Sequence, residues 1–159
     1  MISPTAARAL QPGDLVAFRF PYAEGVSPYA RPCLVLETTT AEVLLAYGTS
    51  SRGRANRGLE IRVNRDFAAC GLVRPTRFVT ARRVRVARTD SRFEADPETG
   101  SLLIGRLPDI LQARRAELCD RLAAAFATPE RRYRAERAGI HPPKGRRRRG
   151  DRSAGDQAA

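Results

Sequence analysis

Two short apolar runs early in the chain constrain the fold more than any other feature of the sequence. Residues 33–37 and 43–47 are apolar almost throughout, and a short threonine-rich stretch, residues 38–42, separates them. Apolar runs of this length, bounded by turn residues, are typical of strands that are buried on both faces of a sheet. The pattern therefore predicts two central strands joined by a turn.

Further strands are predicted on both sides of this central pair, at residues 14–20, 59–63, 77–80, 83–87 and 101–107. In the first of them Leu15 and Ala17 lie on one face, and Val16 and Phe18 lie on the other, because side chains alternate along a strand. Residues 64–69 predict a short turn of helix. Five or six short strands of this kind predict a small and strongly bent sheet.

A helix is predicted to follow the strands. Pro108 suits its first turn, and Leu111, Leu118 and Leu122 then form one apolar stripe on a helix that ends near residue 126. We expect this stripe to close over the open end of the sheet. The predicted fold class is therefore mainly β with a C-terminal helix.

The sequence outside this domain, which spans residues 13–128, is mostly polar. Residues 1–12 predict a flexible arm, residues 129–138 predict a highly charged helix, and residues 139–159 predict a disordered, arginine-rich tail. No apolar run reaches the length that crosses a bilayer. The first ten residues lack the basic start and apolar core of a secretory signal. These features predict a cytoplasmic protein.

The net charge of +12 is shared equally between two parts of the chain that differ greatly in length. Residues 1–128 hold 19 basic and 13 acidic side chains, and residues 129–159 hold 10 and 4. An excess of arginine on this scale favours a polyanionic partner, and nucleic acid is the obvious one. The alternative for the tail is that a genome of high GC content encodes arginine freely.

Cysteine and histidine limit the chemistry that the sequence predicts. The three cysteines, Cys33, Cys70 and Cys119, are scattered and form no CxxC pair, so we interpret them as small buried apolar residues. The single histidine, His141, lies in the predicted tail. The usual zinc sites and a histidine-based acid–base pair are therefore not expected, and no metal or other cofactor is predicted.

Arg31 stands where a loop of residues 22–30 re-enters the sheet, directly before Pro32. A guanidinium held at the start of a strand is well placed to meet a phosphate. The alternative is a surface ion pair with Glu24 or Glu37, which would contribute little to stability.

The end of the second central strand carries hydroxyl groups, followed by a loop that is rich in glycine and arginine. Thr49 and Ser50 suit a site that binds phosphate, or they cap the loop that follows the strand. Tyr22 and Tyr29 offer aromatic faces to unstacked bases. The alternative is that each packs in a core or a turn, because aromatic residues bury readily. The residues predicted to line the site and bind RNA are Tyr22, Tyr29, Ser50, Ser51, Arg52, Arg54, Arg57, Arg74 and Arg77.

Several of these segments together resemble the MazF/PemK family of type II toxins, which are mRNA endoribonucleases. The resemblance covers roughly residues 11–126. It rests on Gly13-Asp14-Leu15-Val16 with Phe20-Pro21, on Arg31-Pro32 followed by Leu34-Val35-Leu36, on the strand at residues 43–47 with Gly48-Thr49-Ser50-Ser51, and more weakly on Gly71-Leu72-Val73-Arg74-Pro75-Thr76.

The resemblance implies an SH3-like barrel with a C-terminal helix and a metal-independent cut in single-stranded RNA. Arg31 and Thr49 fall on the two positions that the family uses to stabilise the reacting phosphate. The implied products are a 2′,3′-cyclic phosphate and a 5′-hydroxyl. The implied partners are a second copy of the chain in a homodimer, with RNA crossing the groove at their interface, and an acidic antitoxin.

The sequence departs from the family pattern where an acidic residue would assist proton transfer. Arg74 matches, but Pro75-Thr76 stands where some members place an acid, and Val26 occupies the position of a loop acid in others. Glu24, two residues earlier, is the remaining candidate for the general base. A non-catalytic module that binds RNA or protein on the same barrel, as CcdB-type gyrase poisons do, is therefore the alternative function.

Overall fold

We describe the protein from a computed structural model, which describes residues 10–22, 25–53 and 58–145. The helices are α1 (Asp109–Ala125) and α2 (Pro129–Arg137), and a 3₁₀ turn covers Ala68–Cys70. The strands are β1 (Asp14–Phe18), β2 (Pro21–Tyr22), β3 (Gly25–Val26), β4 (Arg31–Thr38), β5 (Glu42–Thr49), β6 (Glu60–Val63), β7 (Thr76–Ala87), β8 (Leu103–Arg106) and β9 (Lys144–Gly145). The predicted fold class, mainly β with a C-terminal helix, is confirmed.

Six strands of the main sheet pair antiparallel in the order β6-β7-β5-β4-β1-β8, and β9 is added to β7. The central strands are the predicted pair, β4 and β5, in which Leu34 lies opposite Ala46. β2 and β3 form a separate hairpin in the loop before Arg31. Bulges interrupt the register of three of the strand pairs, and because bulges bend strands and increase their twist, the sheet curls into a half-barrel.

The largest register shift lies in β7. Ala46 of β5 pairs with Arg83, but the next residue, Tyr47, pairs with Val79, so residues 80–82 are extra on the β7 side. Thr80 is fixed there because its backbone N–H and its hydroxyl both donate to the carbonyl oxygen of Leu59, over 2.9 and 2.6 Å. The predicted separation into strands at 77–80 and 83–87 is therefore wrong. One continuous strand carries a bend where the gap was expected.

Apolar side chains pack on both faces of the sheet, as the fully apolar central strands predict. On one face the first core includes Val16, Phe18, Cys33, Val35, Leu45, Phe93 and Leu102. On the other face the second core includes Leu15, Leu34, Leu36, Ile61, Phe78, Leu118 and Cys119. The predicted alternation of β1 is confirmed because Leu15 and Val16 lie in different cores. All three cysteines are buried and unpaired, as expected.

Close backbone contacts join the 3₁₀ turn to β8, which is the edge strand next to β1. A Cβ atom at Gly105 would overlap the carbonyl oxygen of Cys70, and one at Gly71 would overlap that of Ile104. Only glycine permits backbones to approach this closely. Beside this seam, Leu118 and Leu122 of α1 are buried, and Leu118 belongs to the second core, so the predicted apolar stripe does cover the sheet.

The Gly13-Asp14 pair at the start of β1 has a structural role. Gly13 adopts φ +94°, a conformation that favours glycine. The buried carboxylate of Asp14 accepts hydrogen bonds from the backbone N–H of Gln11 over 2.6 Å and from Nη1 of Arg106 over 2.8 Å. These contacts fix the entry into β1 and tie it to β8.

The two predicted extensions need correction at the residues where they join the domain. Leu10 was expected in a flexible arm, but it is buried in the first core. Residues 139–145 were expected to be disordered, yet Lys144 pairs with Val84 and Gly145 with Arg85 in a parallel addition to β7. Backbone hydrogen bonds need no apolar side chain, which is why composition did not reveal this pairing. Residues 1–9 and 146–159 lie outside the described residues.

The predicted second helix is confirmed as α2, which begins with Thr128 as its N-cap and Pro129 in its first turn. Among the described residues, neither helix is both long enough and apolar enough to span a membrane.

Candidate nucleic-acid interface

The sheet register brings predicted site residues from separate strands into one row. Thr49 of β5 pairs with Arg77 of β7, and Arg77 pairs with Arg62 of β6. The last pair between β4 and β5 joins Cys33 to Tyr47. Continued for two residues, this register places Arg31 opposite Thr49. We call Arg31, Thr49, Arg77 and Arg62 the arginine row.

The row lies on the face of the sheet that carries the first core. Residues two apart on a strand share a face. Arg31, Thr49 and Arg77 are each two residues away from a member of that core on the same strand. These members are Cys33, Tyr47 and Val79, respectively. The row therefore marks the border at which the apolar core ends and cationic side chains begin.

A groove of about 370 Å³ opens along most of this row. Its lining residues come from the end of β5, the end of β6 and the start of β7, and they are Thr49, Ser50, Ser51, Arg52, Arg62, Asn64, Pro75, Thr76 and Arg77. Five residues predicted from the sequence thus meet in one cavity. Arg31 lies on the next strand and does not line the groove, and neither does Arg74, which is exposed.

Arg31 is half-buried and is held by an aromatic residue of the neighbouring strand. Its Nη1 donates to the hydroxyl oxygen of Tyr47 over 2.6 Å, and its guanidinium carbon lies 4.8 Å from the centre of the Tyr47 ring. Of the two carboxylates considered as alternative partners, Glu37 lies 3.9 Å from Arg85, and Glu24 is outside the described residues. Tyr47 therefore helps to orient the guanidinium of Arg31.

Thr49 caps its loop and retains a donor. Its Oγ1 accepts the backbone N–H of Ser51 over 3.1 Å, which confirms the interpretation of Thr49 as a loop cap. A hydroxyl that accepts one hydrogen bond can still donate its own proton. The capping role fixes the position of Oγ1, and it is compatible with a contact from Thr49 to a phosphate oxygen.

Glu60 links the two arginines at the other end of the row. Its Oε2 lies 2.8 Å from Nη1 of Arg77, its Oε1 lies 2.7 Å from Nη2 of Arg62, and its side chain is 8% exposed. Burial acts to raise the pKa of the Glu60 carboxyl, but the hydrogen bonds from Arg77 and Arg62 outweigh burial and hold it below its ordinary value. Glu60 is therefore ionised at neutral pH and is a weak base.

Arg77 also fixes the loop that follows Thr49. Its Nε donates to the carbonyl oxygen of Ser51 over 2.7 Å. Ser50, Ser51 and Arg52 are exposed beside it. Arg77 is consequently a structural anchor of the groove.

The two tyrosines of the first loop are placed differently. Tyr29 is 78% exposed, so the alternative that it packs in a core is wrong, and its backbone N–H bonds Oγ of the buried Ser27. Tyr22 lies in β2, opposite Gly25. The remaining predicted residues, Glu24, Arg54 and Arg57, lie outside the described residues.

Sequence reasoning missed Tyr47, Glu60 and Arg62 as parts of this site. Alternation along β5 places Tyr47 on the face of Thr49 and was a usable signal. Glu60 and Arg62 share a face of β6 by the same rule, but their partner Arg77 is distant in sequence and could not be identified without the register.

Comparison with known proteins gives no further assignment. No protein-family model matches the chain, and no curated protein matches its sequence.

Proposed function

We propose that this protein is an endoribonuclease that cuts single-stranded RNA, and that it acts as the toxin of a type II toxin–antitoxin pair of the MazF/PemK type. The observation that supports the proposal is the pairing of Cys33 with Tyr47, a register that, continued for two residues, brings Arg31 opposite Thr49. Thr49 lines the cationic groove. The curled half-barrel with its C-terminal helix supports the SH3-like barrel that the proposal requires.

The proposed chemistry uses the nucleophile that RNA carries. The 2′-hydroxyl attacks the adjacent phosphorus, the bond to the 5′-oxygen breaks, and the products are a 2′,3′-cyclic phosphate and a 5′-hydroxyl. Arg31 donates to the non-bridging oxygens on which charge accumulates, and the Thr49 hydroxyl adds one further donor. Donors fixed in advance at such a position stabilise a transition state more than they do in water.

The general base of this proposal is Glu24. Glu60 is a poor candidate because two arginines hold the pKa of its carboxyl below the ordinary value, and its oxygens are occupied by those arginines. In the sequence, Glu24 stands seven residues before Arg31.

The groove and the first loop supply the RNA contacts. Ser50, Ser51 and Arg52 contact the phosphates of the strand, together with Arg54, Arg57, Arg74 and Arg77, and such contacts position RNA without reading its sequence. Tyr22 and Tyr29 stack on unpaired bases. A homodimer extends this surface across its interface, and an acidic antitoxin competes for the same cations.

A second candidate function is a binding module without catalysis. Two observations favour it: Nη1 of Arg31 is already bonded to Tyr47, and Pro75-Thr76 offers no carboxylate beside the groove. In this alternative the arginine row binds RNA or a protein partner without cleaving it.

Incubation of the purified protein with a mixed-sequence RNA in EDTA distinguishes the two functions. The nuclease produces discrete fragments that end in 2′,3′-cyclic phosphates, and Thr49→Val slows their appearance. Intact RNA that is nonetheless retained in a binding assay supports the module. RNA that is neither cut nor bound contradicts the nuclease and the RNA-binding form of the module.

A further inference from the structure

The groove has a cationic part and a neutral part. Its arginines are Arg52, Arg62 and Arg77, and its neutral lining includes Asn64 and Pro75. Both of these neutral residues are exposed. Among the lining residues that the structure describes, Asn64 alone carries a side-chain amide. We call Asn64 and Pro75 the neutral pair.

The sheet register explains where the neutral pair lies. Val63 of β6 pairs with Thr76 of β7. Continued by one residue, this register brings Asn64 opposite Pro75. Residues two apart on a strand share a face, and each member of the neutral pair stands two residues from a member of the arginine row. The neutral pair therefore lies beside the row, displaced along the strands by about 6–7 Å.

The amide of Asn64 is not used by the fold. An asparagine or aspartate that precedes a turn commonly bonds the backbone N–H groups of that turn, as Asp96 does with the N–H groups of Glu98 and Thr99 over 2.8 and 3.0 Å. Asn64 precedes the turn at residues 65–67, but its side chain forms no hydrogen bond with any other described residue. The amide is therefore available to a ligand in the groove.

An amide of this kind suits the edge of a nucleobase. It presents one donor and one acceptor side by side, and adenine offers the complementary pair in its N6 amino group and N7. Guanine presents two acceptors there, O6 and N7, so one of them would face the amide oxygen. Pro75 has no N–H, and its apolar ring can pack against the face of an unpaired base.

We propose that the neutral pair binds one unpaired base of the RNA and that Asn64 makes this site selective for adenine over guanine. The inference rests on the proposed function, because the base belongs to the strand whose phosphates the arginines of the same groove contact. A ribose separates each base from its phosphates, so a neutral site beside a cationic row suits one nucleotide. The volume of about 370 Å³ lies within the range for small-molecule sites.

Binding of uncleavable RNA to the full-length protein tests this proposal. The probes are two fluorescent 2′-fluoro oligonucleotides of uridine that carry either A or G at one central position, because 2′-fluoro substitution removes the nucleophile. At constant ionic strength we expect the A probe to bind about 5–150-fold more tightly than the G probe, the range for one bidentate contact to a base. Equal affinities, or no binding of either probe, would overturn the proposal.

Variants assign the preference to a residue. Asn64→Ala should reduce the preference for A over G to about twofold or less, because it removes the amide at an exposed position. Arg52→Gln is the matched control in the same groove. It removes a contact to phosphate, so it should weaken binding of both probes by the same factor and keep the preference. A preference that survives Asn64→Ala, or that disappears in Arg52→Gln, contradicts the assignment.

Cleavage of the mixed-sequence RNA in EDTA separates failure of this inference from failure of the proposed function. A preference for the A probe without cleavage supports the base site and contradicts the nuclease. Cleavage without a preference in binding supports the nuclease and contradicts the base site.

Discussion

Two cationic clusters lie on either side of Tyr47, and they differ in how their charge is compensated. In the groove, Glu60 bridges Arg62 and Arg77 within 2.8 Å. The second cluster lies at the edge of β7 where β9 is added, and no carboxylate stands among the described lining residues of the cavity that contains Arg82, Arg83 and Lys144. We call it the β7-edge cavity. In the groove, by contrast, the charge of Arg62 and Arg77 is compensated within the cluster itself.

The two clusters also differ in how their arginines are held. Glu60 reduces the attraction of the groove for a polyanion, but it fixes Arg77, which in turn holds the loop after Thr49 over a distance of 2.7 Å. This arrangement suits positioning of a long, flexible strand. In the β7-edge cavity the two neighbouring arginines diverge, because Arg82 stacks on Tyr47 and Arg83 lies beside Phe126.

The largest expected effect follows from removing Arg31, the proposed catalytic cation of the arginine row. Arg31→Ala should lower the rate of RNA cleavage about 10²–10³-fold, the usual cost of losing one donor to a transition-state oxyanion. The fold should persist because Arg31 is half-buried at the first position of β4. Single-turnover cleavage of a defined RNA in EDTA measures the rate.

Arg121→Ala is the matched control for that experiment, since Arg121 is exposed on α1 and contributes to neither cluster. A rate within threefold of wild type removes Arg31 from the site.

The next effect concerns stability. Glu60→Gln should lower the free energy of unfolding by about 1–3 kcal/mol at neutral pH, because Arg77 loses a charged and largely buried partner. The pKa of the Glu60 carboxyl is lower in the folded protein than its ordinary value of 4.5. The ionised carboxyl therefore stabilises the fold above pH 4.5, and this contribution is lost as the pH falls through the folded pKa.

Urea unfolding of wild type and Glu60→Gln as the pH is lowered from neutral measures both parts of this prediction. The difference in the free energy of unfolding between wild type and Glu60→Gln should shrink below pH 4.5. Glu117→Gln serves as the control, because Glu117 pairs with Arg114 while 57% exposed, and surface pairs contribute little. A difference that stays constant to low pH would show that Glu60 acts through shape and not through charge.

The sequence predicted the central strands and the groove better than it predicted the cavity, and the reason is physical. Apolar runs and alternation identify β4 and β5, and their ends carry Thr49 and the adjacent hydroxyls. The cavity depends on the bend at residues 80–82 and on the pairing of Lys144 with Val84. Both are backbone features that leave no apolar pattern.

Arg83 shows the same limit at a single residue. In the sequence it alternates with the apolar Val84 and therefore looks like a residue on a solvated face. In the structure it is buried against Phe126 at the end of α1. Alternation assigns a residue to a face of the sheet, but only the position of the helix decides whether that face reaches solvent.

The smallest expected effect concerns Tyr47, the residue that both clusters contact. Tyr47→Phe removes the hydroxyl that accepts from Arg31 and keeps the ring that packs on Phe20 and Arg82. We expect kcat for RNA cleavage to fall about two- to tenfold, as one net hydrogen bond predicts, with KM within twofold of wild type. In the proposed mechanism, the Tyr47 hydroxyl positions the guanidinium of Arg31 and does not itself contact the RNA. Removing this hydroxyl should therefore affect the geometry of the reaction more than the binding of RNA.

The second measurement on Tyr47→Phe is the free energy of unfolding, which should stay close to that of wild type because the ring contacts with Phe20 and Arg82 survive. A fall in kcat with unchanged stability shows that the hydroxyl acts through Arg31. A parallel fall in both shows that the lower kcat follows from a disturbed fold. An unchanged kcat means that Arg31 leaves Tyr47 when RNA binds, and the hydrogen bond of 2.6 Å then belongs only to the free protein.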